Sequence, residues 1–250
     1  MNIKIPTKTS KNKFIYGDLF ENKDTDTLVV FLSGLSGSKD LPLFEAATKK
    51  FFENGFSTFK FNFCRESESK TVDTLDLKEM TFAVYLSEFK NIIDFFNSDY
   101  KNFVLVGHSF GAVLAILFLD TYRGYLDNTS LVLWEPSILP WKREWMEEDY
   151  NLDNKTGFYI SKINHEIINR EFYEETININ NIADTLGSLN KNVCIVAAKG
   201  SADEDAQQYF KKTKDKINSK LRIIEKTNHF FDGSEAQEEL FKTTISFIKD

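Results

Sequence analysis

The chain has 250 residues, 42% of them hydrophobic and 28% charged, with 24 phenylalanines and a formal net charge of −7. That length suits one sizeable domain and is short for two, and acidity without a basic cluster excludes a protein that tracks nucleic-acid phosphates. No apolar h-region follows Met1–Pro6 and the longest apolar run, Ala112 to Leu119, is too short for a bilayer, so the expectation is a cytoplasmic protein with no stable membrane insertion.

Strand and helix patterns then alternate along the chain. Phe14 to Phe20 is predicted as an early antiparallel strand near an edge. Thr27 to Leu32 (TLVVFL) is a continuous apolar run, the pattern of a strand covered on both faces. A turn follows, Ser33-Gly34-Leu35-Ser36-Gly37-Ser38. Asp40 and Pro42 mark a helix start, Phe44, Ala47 and Phe51 share one face, and Gly55 closes the helix. Phe59, Phe61 and Phe63 alternate with Lys60 and Asn62 as a strand does. Apolar positions stepping by three or four predict a helix over Asp76 to Asn97. Asn102 to Val106 reads as the next strand, and Ala112 to Leu119, apolar all round, as a buried central helix. Strands are expected over Ser130 to Trp134, Val193 to Ala198 and Leu221 to Ile224, and a closing helix over Ser234 to Ile248. The alternation implies a mainly parallel sheet of about eight strands with helices on both faces.

One interval breaks the rhythm. Glu135 to Asn192 shows no strand pattern, yet it is aromatic, with Trp141, Trp145, Tyr150, Phe158, Tyr159, Phe172 and Tyr173. Long insertions in compact domains are functional or disordered as a rule, and the aromatics argue against disorder. Residues 137–185 are therefore expected to form a small helical cap within a single domain spanning 1–250.

Gly107-His108-Ser109-Phe110-Gly111 matches G-x-S-x-G directly between a buried strand and a buried helix. A serine there sits on a sharp turn, and glycines two residues either side let neighbouring backbone approach. The helix N-terminus offers N–H groups to developing negative charge. The alternative is an ordinary Gly-rich turn.

With this motif in this context, the chain resembles the α/β-hydrolase superfamily, in particular its small esterases and serine-peptidase-like members. The resemblance implies a nucleophile, acid, histidine order along the chain. It places the nucleophile at Ser109. It places the acid at Asp203, after the Val193–Ala198 strand, with Glu204 and Asp205 as rivals. It places the base at His229, between the last strand and the final helix. Of the other two histidines, His108 is expected to point away from Ser109 and His165 to lie on the surface of the cap. The resemblance puts the oxyanion hole at the backbone N–H groups of Phe110 and Leu35; Ser33 stands where the family's His-Gly-x-x-Gly turn carries histidine. At Arg65-Glu66-Ser67-Glu68-Ser69 the family's Arg-Gly-x-Gly-x-Ser loop has lost both glycines. Trp134 is placed either as the wall of an acyl pocket or in the core, and Trp141 and Trp145 as candidate substrate contacts.

Such a set performs acyl transfer: the hydroxyl attacks a carbonyl, the imidazole takes its proton, and the carboxylate holds the imidazole. The expected function is hydrolysis of a carboxylic ester on a small acyl substrate. A thioesterase, amidase, peptidase or acyltransferase on the same residues, and a non-catalytic binding protein of the same shape, remain alternatives. Two cysteines, Cys64 and Cys194, make no disulfide framework. Three scattered histidines and no phosphate-binding loop leave no cofactor or metal expected. Oligomeric state has no signal in the chain.

Overall fold

A computed structural model describes residues 1–8, 14–35, 37–63, 77–125, 127–163, 167–216 and 218–250. Ser36, Cys64, the Arg65 stretch at 65–69 and His165 lie outside the described residues.

The main sheet has eight strands. They are β1 (Asn2–Pro6), β2 (Phe14–Phe20), β3 (Thr27–Leu32), β4 (Ser57–Phe61), β5 (Asn102–His108), β6 (Thr129–Trp134), β10 (Val193–Ala198) and β11 (Ser219–Ile224), in the spatial order β1-β2-β4-β3-β5-β6-β10-β11. The pairs β1–β2 and β2–β4 are antiparallel, and all others are parallel. β1 is a strand that periodicity missed, because five residues with Asn2, Lys4 and Pro6 carry little apolar signal. It pairs along β2 from Asn2↔Asp18 to Pro6↔Phe14.

Alternation along each central strand splits the core into two layers. In β3, Leu28, Val30 and Leu32 join one cluster while Val29 and Phe31 join the other. The same parity sends Leu131 and Leu133 of β6 to the first layer and Val132 and Trp134 to the second. The second layer is closed by α1 (Pro42–Glu53) and α8 (Ser234–Lys249). The first is closed by α2 (Phe82–Phe96), α3 (Phe110–Thr121), α6 (Ile182–Ser188) and α7 (Asp203–Thr213). Helix α3 lies between the sheet, α2 and α6, so both its sides are covered, which is why it is apolar all round. Phe31, Phe44, Phe51, Phe59 and Phe89 are fully buried, each contributing about 1.5–3 kcal/mol of transfer free energy.

Three expectations change in detail. The strand read over Phe59–Phe63 runs from Ser57 to Phe61, so Phe63 lies past its end. The helix predicted over 76–97 starts at Phe82. Thr81 is extended (φ −130°) and its side chain accepts the Val84 N–H, which caps the helix, while Leu77–Glu79 forms a separate 3-10 turn. The interval after β6 is not purely helical. It holds α4 (Arg143–Asp149), then a three-stranded antiparallel sheet of β7 (Tyr150–Leu152), β8 (Tyr159–Ser161) and β9 (Ile167–Ile168), then α5 (Arg170–Asn178) and α6. Strands of two or three residues are too short to show a period. Phe172 of α5 packs its ring against Phe82 and Phe110, 5.5 Å from each, so this interval lies against the start of α3. Among the described residues no helix is long and apolar enough to cross a membrane.

Candidate active site

Ser109 is the residue between β5 and α3. Its backbone is at φ 54°, ψ −121°, a conformation that costs a non-glycine residue about 1–3 kcal/mol. Neighbouring backbone holds it there: its N–H donates to the Trp134 carbonyl (3.0 Å) and its carbonyl accepts the N–H groups of Ala112 (3.1 Å) and Ser137 (3.3 Å). The flanking glycines are demanded by close approach. A Cβ on Gly111 would fall 2.2 Å from the Leu32 carbonyl oxygen, and one on Gly107 2.5 Å from Ala112 Cα. The turn after β3 also comes near, though less tightly: a Cβ on Gly34 would sit 3.1 Å from Ser109 Cβ and 3.5 Å from its Oγ. The hydroxyl itself lies 3.2 Å from the Ser137 hydroxyl. Ser137 is held in turn by its carbonyl, which accepts the hydroxyl of the fully buried Tyr209 (2.7 Å).

At the same end of the sheet, β6 runs alongside β5 with His108 opposite Trp134. The residue after Trp134 is Glu135, with no exposed surface and a left-handed backbone at φ 46°. Its Oε2 is 3.1 Å from His229 Nδ1. The same oxygen accepts the Ser201 hydroxyl, and Oε1 accepts the Ala198 N–H. Burial pushes the Glu135 carboxyl up, but the hydrogen bonds from His229, Ser201 and Ala198 together outweigh it and hold the group below the ordinary carboxylate range. An ionised acceptor takes the proton on Nδ1 of His229, so in the neutral tautomer that makes this bond Nε2 carries the lone pair. His229 sits on the loop after β11, which bonds to itself. Asn228 Oδ1 accepts the N–H groups of Phe230 (3.0 Å) and Asp232 (3.2 Å), and Phe231 N–H donates to the Asn228 carbonyl (2.9 Å). Four described non-glycine residues have positive φ: Ser109, Glu135, Lys226 and Phe231. Two are Ser109 and the carboxylate residue that meets His229, and Phe231 is two residues beyond His229. Backbone strain of this kind collects where geometry serves a site.

No family model matches the sequence, and no curated protein matches it. Est1E from Butyrivibrio proteoclasticus, solved with ferulic acid bound, superposes with a TM-score of 0.78 at 16% identity, covering 99% of this chain and 100% of that one. Alpha/beta hydrolase domain-containing protein 10 from mouse gives 0.73 at 13% identity, over 100% of this chain and 98% of that one. The esterase domain of a Rhodothermus marinus protein gives 0.70 at 11%, over 100% and 97%. The chain has the α/β-hydrolase fold.

Within that fold, the sequence-predicted residues separate. The structure brings Ser109 and His229 to one strand end, but it does not bring Asp203 to the histidine. Asp203 is the first residue of α7, and its carboxylate is taken by Lys199 Nζ (2.6 Å) and the Gly200 N–H (3.0 Å). The Lys199 bond is the main reason its carboxyl lies below the usual range. Neither rival replaces it. Glu204 is exposed. Burial pushes the Asp205 carboxyl up, as do the charges of Glu204 and Glu135, against one hydrogen bond from the Ile138 backbone. The carboxylate against His229 is Glu135, one strand earlier than expected, and the loop expected to supply the acid supplies hydroxyl and N–H donors to it. A signal was available in sequence: an acidic residue directly after an apolar strand, in Trp134-Glu135-Pro136.

The remaining positions also divide. Phe110 opens α3 and is buried, and Leu35 lies half-buried in the turn beside Ser109. Ser33, in place of histidine, braces that turn with a hydrogen bond to the Gly37 carbonyl (3.2 Å). Trp134 belongs to the core and walls no pocket. Strand parity turns it to the α1–α8 layer, where its ring meets Phe31, Phe51 and Phe241 and its Nε1–H donates to Thr244 Oγ1 (3.0 Å). Trp145 is half exposed, with Lys142 Nζ 4.6 Å over its ring. Trp141 packs closer, its ring 6.1 Å from that of Phe110, the residue after Ser109. His108 is buried under the His229 loop, its ring centroid 4.7 Å from that of His229.

Proposed function

We propose that this protein is a serine hydrolase that cleaves a carboxylic ester through an acyl-serine intermediate, with Ser109, His229 and Glu135 as its triad. The observation that supports it most is the buried Glu135 carboxylate bonded to His229 Nδ1, at the strand end that holds a serine at φ 54°.

His229 Nε2 takes the Ser109 proton as Oγ attacks the acyl carbon. In the resting site Oγ rests on Ser137, and the contact to Nε2 forms as substrate is seated, since catalytic hydrogen bonds in empty sites are commonly long. The tetrahedral oxyanion is received by the N–H groups of Phe110, at the positive end of α3, and Leu35. Collapse expels the alcohol, which leaves with the proton from His229. Water, deprotonated by the same imidazole, then releases the carboxylic acid. Glu135 stays ionised throughout and stabilises the imidazolium. Residues 137–185 act as a cap, and the half-buried Trp141, packed on the core ring of Phe110, is the aromatic side chain of this interval that would meet an apolar acyl group.

A fluorophosphonate probe tests this. Covalent labelling of the wild type that maps to Ser109 and vanishes in Ser109→Ala is expected, and equal labelling of both proteins would exclude it. A panel of p-nitrophenyl esters and acyl thioesters then ranks the substrate class.

A further inference from the structure

His108 is used by none of the steps above, yet it is 2% exposed, directly precedes Ser109 in the chain and packs its ring 4.7 Å from that of His229. Its Nε2 is 2.8 Å from the backbone carbonyl oxygen of His229. A carbonyl only accepts, so Nε2 carries the proton and donates. The ring is stacked on Phe230 at 5.6 Å and meets Phe44 of α1 edge-on at 6.3 Å. The His229 loop is otherwise closed mainly on itself through Asn228 and Asp232. Phe231 buries its ring in the core, and among the described residues the hydrogen bonds that tie His229 itself to the sheet are the side-chain bond to Glu135 and the main-chain bond from His108. These act on opposite ends of one residue.

We propose that His108 is a positioning residue, which sets the distance from His229 Nε2 to Ser109 by holding the His229 main chain from below while Glu135 holds its ring. The proposal rests on the triad reading. Two anchors on one residue define the direction of the imidazole as well as its place, and His108, adjacent to Ser109 on β5, refers that direction to the nucleophile's own backbone. Burial keeps the ring neutral, down to about 4, so the donor persists wherever the triad works; the His229 carbonyl and the Glu135 charge oppose that shift only in part, and any charge on His229 adds to it.

The test compares His108→Phe, which keeps an aromatic ring but removes the donor, with His108→Gln, whose amide N–H reaches as far as Nε2. The expected loss in kcat for His108→Phe is on the order of 10- to 100-fold, the scale of a displacement of about 1 Å, at little-changed KM and with Ser109 still labelled, only more slowly. His108→Gln is expected to regain most of that loss. With only three histidines in the chain, ¹⁵N-histidine NMR reads the geometry without turnover. The proton between His229 Nδ1 and Glu135 should give a downfield signal in wild type and His108→Gln, shifted or broadened away in His108→Phe. A His108→Phe protein with wild-type kcat and an unchanged His229 signal would overturn the proposal, as would a cooperatively folded His108→Gln protein as impaired as His108→Phe. If the wild type labels at no serine, the triad reading fails by itself, and the NMR comparison still decides whether His108 places the imidazole.

Discussion

Glu135→Gln separates the acid that the structure places against His229 from the acid that the resemblance suggested. In the proposed step that forms the tetrahedral intermediate, His229 would become positively charged with a carboxylate oxygen 3.1 Å from Nδ1. The charge centres are then about 4 Å apart, and their attraction is about 4 kcal/mol at an effective dielectric of about 20, a value that allows for the partly open imidazole. This term is absent while the imidazole is neutral, so it lowers the barrier rather than KM. At about 1.4 kcal/mol per tenfold, Glu135→Gln should reduce kcat by about 10³-fold. The amide also has one oxygen for three donors: Ala198 N–H, the Ser201 hydroxyl and His229 Nδ1–H. Its NH₂ must face one of them, at a stability cost of about 1–3 kcal/mol. The matching control is Asp203→Asn, which loses the Lys199 bond and keeps the histidine untouched; its kcat should stay within about threefold of wild type. Steady-state kinetics on an activated ester, with urea unfolding of both variants, reads all of this. A near-normal Glu135→Gln enzyme, or a crippled Asp203→Asn enzyme, would refute the assignment.

Trp134→Phe should lower stability by about 1–3 kcal/mol, through the lost bond to Thr244 and the volume removed, and leave KM unchanged across an ester panel; a selective rise in KM for bulky acyl groups would return Trp134 to the pocket wall. The buried His108 gives a pH signature. Its value in the fold is pushed down to about 4 from 6.5, so between those pH values the unfolded chain binds the proton and the folded protein does not. Stability from this group is complete above about 6.5, falls as pH drops towards 4, and is then lost, by about 3 kcal/mol in all. Thermal melts from pH 7.5 to 4 should show a shallower decline in His108→Gln than in the wild type, and parallel curves would contradict the buried neutral imidazole.

Much of the fold was legible before any coordinates. β2, β3 and β10 match their apolar runs, and α8 matches its periodic face, because a strand covered on both sides and a helix covered on one leave different periods in the chain. Ser109 was legible because a strained strand-to-helix turn requires small neighbours, and Gly107 and Gly111 record that need locally. The short strands β1, β7, β8 and β9 were not, since their stability comes from partners rather than from their own two to five residues.

Sequence by itself determined what is written in neighbouring residues: the alternation of elements, the turn that carries the serine, and a histidine ahead of the last helix. Which carboxylate meets that histidine was decided only in three dimensions. Asp203 and Glu135 each follow a buried strand, so local pattern ranks them alike. They are told apart by neighbours far along the chain: the donors of Ala198 and Ser201 and the ring of His229 converge on Glu135, while Lys199, four residues before Asp203 in the turn that precedes α7, satisfies that carboxylate where it stands.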